Sequence, residues 1–131
     1  MCIRDSVYLS LADLSSHEIT EADLRALVDG CATADIHSRW HALVHDICAR
    51  AHIMRGQGAA MARSAWDALP SDCSFIFRLI VGMYSELLDR IDADPDCVLR
   101  PEPVLKDADK TAMVQAAAAA SGYQLQSLRN A

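Results

Sequence analysis

The sequence predicts an all-α domain, because three of its features favour helices over strands. Hydrophobic residues make up 52% of the 131 residues but aromatic residues only 5%, and alanine, the strongest helix former, fills the difference. Apolar residues recur at steps of three and four along extended stretches, and strand-favouring runs are missing. A chain of this length suits one domain, whose core would bury roughly two-thirds of the unfolded surface.

Two short helices are predicted near the start of the chain. Leu11 to His17 forms a short helical turn, and a second helix follows from Glu21 to Asp29. Thr20 and Asp23 are typical of a capping box with Asp in place of Glu. Gly30 is well placed as the left-handed residue that ends this second helix.

A long helix is predicted over residues 35–69, with a seam that repeats every seven residues. The seam consists of Trp40, Val44, Ile47, Ala51, Met54, Gly58, Met61 and Ala65. One column of the seam is bulky and the other mostly small. The small column, Gly58 in particular, would let the backbone of a neighbouring helix approach closely, and Gly56 and Gly58 favour a kink.

The central helix, predicted over Ser71–Ile91, is the element around which the chain is expected to pack. Ser71 or Ser74 would cap its start, and Pro95 would stop it near Asp94. Two apolar rows make one face wide enough to be buried. The rows are Phe75, Leu79, Met83, Leu87 and Ile91, and Ile76, Ile80, Tyr84 and Leu88. A short turn after the long helix makes the two an antiparallel hairpin.

A last helix is predicted over Ala108–Ser121, with Asp107 as its cap and Gly122 as its stop. Its alanine run has little side chain to bury, so it should be a thin cover over the other helices. We interpret residues 1–6 as a non-native tail, residues 7–122 as one helical domain and residues 123–131 as a frayed tail.

The charge and the cysteines limit the classes of partner and compartment. A formal net charge of −6 argues against a nucleic-acid partner, which would need a basic stripe. Five cysteines without a CxxC pair indicate a reducing, cytoplasmic compartment and thiols used as small core residues. The charge-free run inside the central helix is too short to span a bilayer, which leaves peripheral membrane contact open.

Histidines lie at helical spacing on the long helix, a pattern that can hold a metal ion. His37, His41 and His45 are four residues apart, and His52 follows seven residues later. No carboxylate or cysteine motif in the sequence completes a ligand set. We therefore interpret these histidines as a solvated or hydrogen-bonded flank of the seam.

Four aspartates crowd the end of the central helix, at positions 89, 92, 94 and 96. An EF-hand loop starting at Asp92 fails, because Cys97 and Pro103 stand where glycine and glutamate are required. Negative charge at a helix C-terminus opposes the helix dipole. Arg90, Arg100 or a bound cation would compensate for this negative charge. Alternatively, the four aspartates lie on a water-exposed turn.

Four local motifs occur in an order found in a known family. They are Val7-Tyr8-Leu9-Ser10 with Ala12-Asp13-Leu14, Cys48-Ala49-Arg50-Ala51 with Gly56, Met83 to Ile91 (MYSELLDRI), and Val104-Leu105 with Asp109-Lys110. In this order they resemble the C-terminal part of the squalene/phytoene synthase family, the head-to-head prenyl transferases. The resemblance covers about Val7 to Ala118.

The resemblance implies an incomplete isoprenoid (terpenoid) synthase fold and allylic prenyl diphosphates as substrates, as in squalene or carotenoid biosynthesis. In the family, two aspartate-rich motifs hold Mg²⁺ against the diphosphate. Both would lie upstream of Val7, so this chain should be inactive alone and bind no Mg²⁺ itself. Tyr84 matches a family tyrosine that reaches toward the diphosphate, and Arg100 lies near a diphosphate-binding arginine, although Pro101-Glu102-Pro103 departs from the family's basic run.

The leading hypothesis is therefore the C-terminal portion of a prenyl transferase that condenses two allylic diphosphates head to head. A fragment of this kind would expose an apolar wall and self-associate. The alternative is a non-catalytic helical module that packs on a partner through the Trp40–Ala65 seam.

Overall fold

Five α-helices and a 3₁₀ helix build the part of the chain that the structure, a computed structural model, describes, namely residues 9–66 and 68–125. They are α1 (Leu11–Ser16), α2 (Glu21–Val28), α3 (Ala34–Trp66), α4 (Ser71–Ala93), the 3₁₀ helix Pro95–Leu99 and α5 (Asp107–Ser121). These residues contain no strand, so the predicted all-α class is confirmed. Residues 1–8 and 126–131 lie outside the described residues. They include the interpreted non-native tail and most of the interpreted frayed tail.

The first two helices begin as their sequences predict. Thr20 Oγ1 accepts a hydrogen bond from the Asp23 backbone N–H (3.2 Å), and Asp23 Oδ2 accepts one from the Thr20 N–H (2.9 Å), which completes the capping box. Ser10 caps α1 in a similar way through Asp13 N–H (3.0 Å). Gly30 follows α2 with φ +70°, in the left-handed region predicted for it.

The core forms around the first half of α3, and not around α4. Its buried members are Ile19, Leu27, Trp40, Leu43, Val44 and Cys48. On α4, the expected wide buried face is wrong, since Ile80 is 48% and Tyr84 70% exposed. Residues before and within α2 fold back onto the first half of α3, and α4 contributes Leu88 and Ile91 only at the edge of this core.

The predicted seam is buried over its first part only. Trp40 and Val44 are buried, whereas Met54 and Met61 are 71% and 76% exposed. A Cβ built on Gly58 meets nothing within 4 Å, so the expected close approach of another helix there is wrong. α3 runs without interruption through both glycines. The hairpin of α3 and α4 forms as predicted, and residues of both helices line a groove between them.

The predicted caps of α4 and α5 are wrong in detail. α4 starts after Pro70 without a side-chain cap, and Ser74 is buried and accepts a hydrogen bond from Arg78 Nε (3.1 Å). α4 does end at Asp94 as predicted. The N-cap of α5 is Lys106, whose N–H is bound by Asp109, a residue inside the first turn (2.9 Å).

α5 packs along α4 by means of its small residues. Ala117 and Ala118 are buried, so the alanine run allows a close contact instead of a thin cover. Gly122 ends the helix at φ +68°, as predicted. The tail is not frayed at its start, because the Tyr123 ring stacks on Phe75 with centroids 4.6 Å apart.

The structure bears on two expectations about compartment, which concern membrane-spanning helices and the cysteines. No helix among the described residues is both long and apolar enough to cross a bilayer. The cysteines at 31, 48, 73 and 97 are free, but only Cys48 is buried, so the role of small core residue is correct for Cys48 and wrong for the exposed Cys31 and Cys73.

Candidate functional site

An apolar groove runs between the second half of α3 and the middle of α4. It has a volume of about 660 Å³, which is within the range of small-molecule sites. Met54, Gly58, Ala62, Phe77, Ile80 and Tyr84 are among the residues that line it. Gly58 widens the groove because it has no side chain, which is the opposite of the tight helix contact that its sequence position suggested.

Tyr84 lies on the wall of this groove and presents its side chain to solvent. Together with Phe77, the ring adds aromatic surface to the wall, and its hydroxyl is a polar group at the groove. The predicted substrate residue thus lies on the wall of this apolar groove.

Arg100 lies elsewhere. It follows the 3₁₀ helix, does not line the groove, and binds Asp94 Oδ2 at 2.8 Å through Nη1. The structure therefore does not bring Arg100 and Tyr84 together on one wall. Their predicted roles toward a diphosphate remain predictions.

A different arginine, which the sequence analysis did not single out, lies at the groove. Arg55 lines it and donates from Nη1 to Asp89 Oδ1 (2.6 Å), with a longer contact to the Ser85 carbonyl oxygen (3.4 Å). Helical periodicity could have found it, since Arg55 is four residues after the seam residue Ala51 and so lies on the same face. No motif marked it.

The groove lining does not fit the Mg²⁺ of the resembled family. No carboxylate belongs to the residues that line it, and Mg²⁺ in proteins is bound through carboxylates and water. Asp89 lies beyond the groove and is paired with Arg55. Carboxylates for such an ion would have to come from residues other than those that line the groove.

The histidines of α3 face two aspartates, one in the last turn of α4 and one just after it. His45 Nδ1 lies 3.0 Å from Asp92 Oδ1, and His52 Nε2 lies 3.2 Å from Asp92 Oδ2. One turn earlier on α3, His41 Nε2 lies 3.0 Å from Asp96 Oδ1. The interpretation of these histidines as a hydrogen-bonded flank is confirmed. The sequence did not mark their carboxylate partners, and Asp96 reaches α3 because the chain turns at Pro95.

Each of the four crowded aspartates therefore has a specific side-chain partner instead of water alone. Asp89 binds Arg55 and Asp94 binds Arg100, while Asp92 and Asp96 bind histidines. Arg90, which the sequence proposed for this role, points away to Glu86 and Asp109. These two carboxylates raise its pKa further above the ordinary range.

Two kinds of group have shifted pKa values near these aspartates. The hydrogen bond from His45, followed by that from His52, holds the pKa of Asp92 below its ordinary value. Burial raises the pKa of the Cys48 thiol, and the nearby Asp92 carboxylate adds to this effect. Burial also raises the pKa of Cys97. Both thiols are thereby kept protonated and poorly nucleophilic.

No protein-family model, curated protein or solved structure matches this chain.

Proposed function

We propose that this chain is the C-terminal helical part of a squalene/phytoene synthase-like prenyl transferase, with an incomplete isoprenoid-synthase fold, and that it works in the cytoplasm. The observation that carries the proposal is the groove between α3 and α4. Its walls are almost wholly apolar and its volume is about 660 Å³. Apolar walls of this kind exclude water from a prenyl chain and from the carbocation formed when an allylic diphosphate ionises.

The exposure of the groove supports an incomplete enzyme. Met54 and Tyr84, which both line the groove, are more than two-thirds exposed. Further helices packed over the groove would bury them and close it into a cavity. Such helices would also be the source of the carboxylates and Mg²⁺ that ionisation of a diphosphate requires.

Binding of the prenyl chain is tested directly on the chain as it stands. A hydrophobic dye bound in the groove should be displaced by farnesyl diphosphate but not by inorganic diphosphate, because the groove recognises the apolar chain. Ile80→Lys places a charge in the groove wall and should abolish this displacement. Ile53→Lys is the matched control, since Ile53 is 65% exposed on α3 but does not line the groove.

Equal effects of the two lysine substitutions, or equal displacement by inorganic diphosphate, would contradict the proposed prenyl site. Catalysis is tested separately. The chain alone should release no diphosphate from farnesyl or geranylgeranyl diphosphate, with or without Mg²⁺. Fusion to the upstream helices of the complete enzyme should create Mg²⁺-dependent release, which Tyr84→Phe should weaken.

The alternative, a non-catalytic interaction module, draws support from Met54 and Met61. Both belong to the Trp40–Ala65 seam and both are exposed, as expected for a surface that packs on another helix. Only the second half of the seam is available, because Trp40 and Val44 lie in the core. Self-association by light scattering that farnesyl diphosphate leaves unchanged would favour this module over the enzyme.

A further inference from the structure

Three metal-ligating side chains converge at the first half of α3, away from the groove. His37 and His41 lie one turn apart on the helix, and Asp96 comes from the 3₁₀ helix Pro95–Leu99. One ligand atom of each residue lies within 4.8 Å of the other two. The Asp96 Oδ1 atom is 3.0 Å from His41 Nε2 and 3.9 Å from His37 Nδ1.

These distances suit a tetrahedral transition-metal ion. Bonds of about 2.0–2.1 Å from Zn²⁺ to nitrogen or oxygen, at tetrahedral angles, place neighbouring ligand atoms about 3.3–3.5 Å apart. The two measured distances lie on either side of that value. All three ligand atoms lie within 4.8 Å of one another, close to the spacing that one ion requires.

The backbone that carries these ligands is held in place by a contact that involves none of them. Trp40 lies between the two histidines in sequence, is buried in the core, and donates from Nε1 to the Pro95 carbonyl oxygen at 3.3 Å. Pro95 is itself buried and directly precedes Asp96. This hydrogen bond fixes the 3₁₀ helix against α3, so the three ligands are positioned before any ion arrives.

We propose that His37, His41 and Asp96 form a binding site for a divalent transition-metal ion of the zinc class. Two imidazoles and a carboxylate are a ligand set that favours zinc and its neighbours over Mg²⁺ or Ca²⁺. Three protein ligands leave a fourth position for water or an exchangeable ligand. The three side chains are half-buried, so an ion can enter from solvent. This site does not depend on the proposed prenyl transferase function.

A neighbouring cluster gives a matched control. His45, His52 and Asp92 have the same chemical groups, with the two histidines on α3 and Asp92 on α4. However, each histidine there binds a different oxygen of Asp92, and their ligand atoms do not converge as those of the first cluster do. The two clusters thus differ in geometry and not in composition.

The test is a calorimetric titration of the full chain with Zn²⁺ near neutral pH, with the visible spectrum of bound Co²⁺ as a readout of tetrahedral geometry. The parent and His45→Gln should bind with equal affinity. His41→Gln and Asp96→Asn should each weaken binding by at least about tenfold, a loss already typical of changes next to a metal ligand. Circular dichroism checks that each variant is folded.

His37→Gln tests the third ligand, which lies farther from Asp96 than His41 does. It should also weaken Zn²⁺ binding at least about tenfold with the fold retained. If the parent binds no Zn²⁺, or if His45→Gln weakens binding as much as His41→Gln and His37→Gln do, the proposed site is wrong. In the latter case the ion binds adventitiously to exposed histidines.

Discussion

The two halves of α3 carry the same seven-residue repeat of apolar residues, yet only one half lies in a core. In the first half, Trp40 and Val44 are buried under residues from the α1–α2 region. In the second half, Met54 and Met61 stand in solvent beside the groove. The difference shows that a periodic pattern specifies which face of a helix is apolar, whereas the elements around it decide whether that face is covered.

The largest expected effect is the difference in free energy of unfolding between a truncation in the first half of α3 and one in the second half. Leu43 is 0% exposed, so Leu43→Ala should lower the free energy of unfolding by about 2–5 kcal/mol, because it removes apolar contacts and leaves a cavity. Met61→Ala, in the exposed half, should change it by no more than about 0.5 kcal/mol. Urea denaturation measures both. A large loss in Met61→Ala would mean that the second half is covered after all, for instance by self-association.

Glycine substitutions sharpen the comparison at intermediate size. A Cβ at Gly58 meets nothing within 4 Å, so Gly58→Ala should stabilise the chain by about 1 kcal/mol through helix propensity. Gly58→Leu, which the seam alone would predict to overpack, should meet no clash at its Cβ atom. Gly30→Ala is the contrasting variant. Its φ of +70° should make the substitution cost about 1–2 kcal/mol. Destabilisation by Gly58→Ala would show that another helix does approach Gly58 closely, as the sequence suggested.

The smallest expected effect is on the acid dependence of stability, through Asp92, which contacts both halves of α3. Asp92 joins His45 in the first half and His52 in the second, and these hydrogen bonds hold its pKa below the ordinary 3.8. Because the pKa is lower in the folded state, the resulting stability is present above pH 3.8. It is lost as the pH falls through the folded-state pKa.

Asp92→Asn should therefore lower the thermal midpoint at neutral pH and reduce the part of the stability that is lost in acid. Asp107→Asn is the control, since the Asp107 side chain is 98% exposed on α5. Thermal melts from neutral pH to below 3.8 measure both variants. If both variants give the same acid dependence, the bridge at Asp92 contributes nothing to it.

Local signals in the sequence were enough to predict the helices. Thr20 with Asp23, Gly30, Gly122 and Pro95 each act through backbone geometry within a few residues, and each marks a helix end in the structure. The all-α class follows from the same short-range preferences. Tyr84, which was singled out from its resemblance to a family motif, lies on the groove wall, and its role toward a substrate stays a prediction.

The positions of the helices relative to one another were decided by tertiary structure. The core formed around Leu43 and not on α4, and Gly58 opened a groove where the repeat suggested a contact. Most clearly, His41 and Asp96 are 55 residues apart, and neither position marks the other as its partner. They meet because Trp40 binds Pro95 and holds the turn against α3. Helix propensity and capping are short-range and can be read along the chain, whereas ligand convergence depends on contacts between residues distant in sequence.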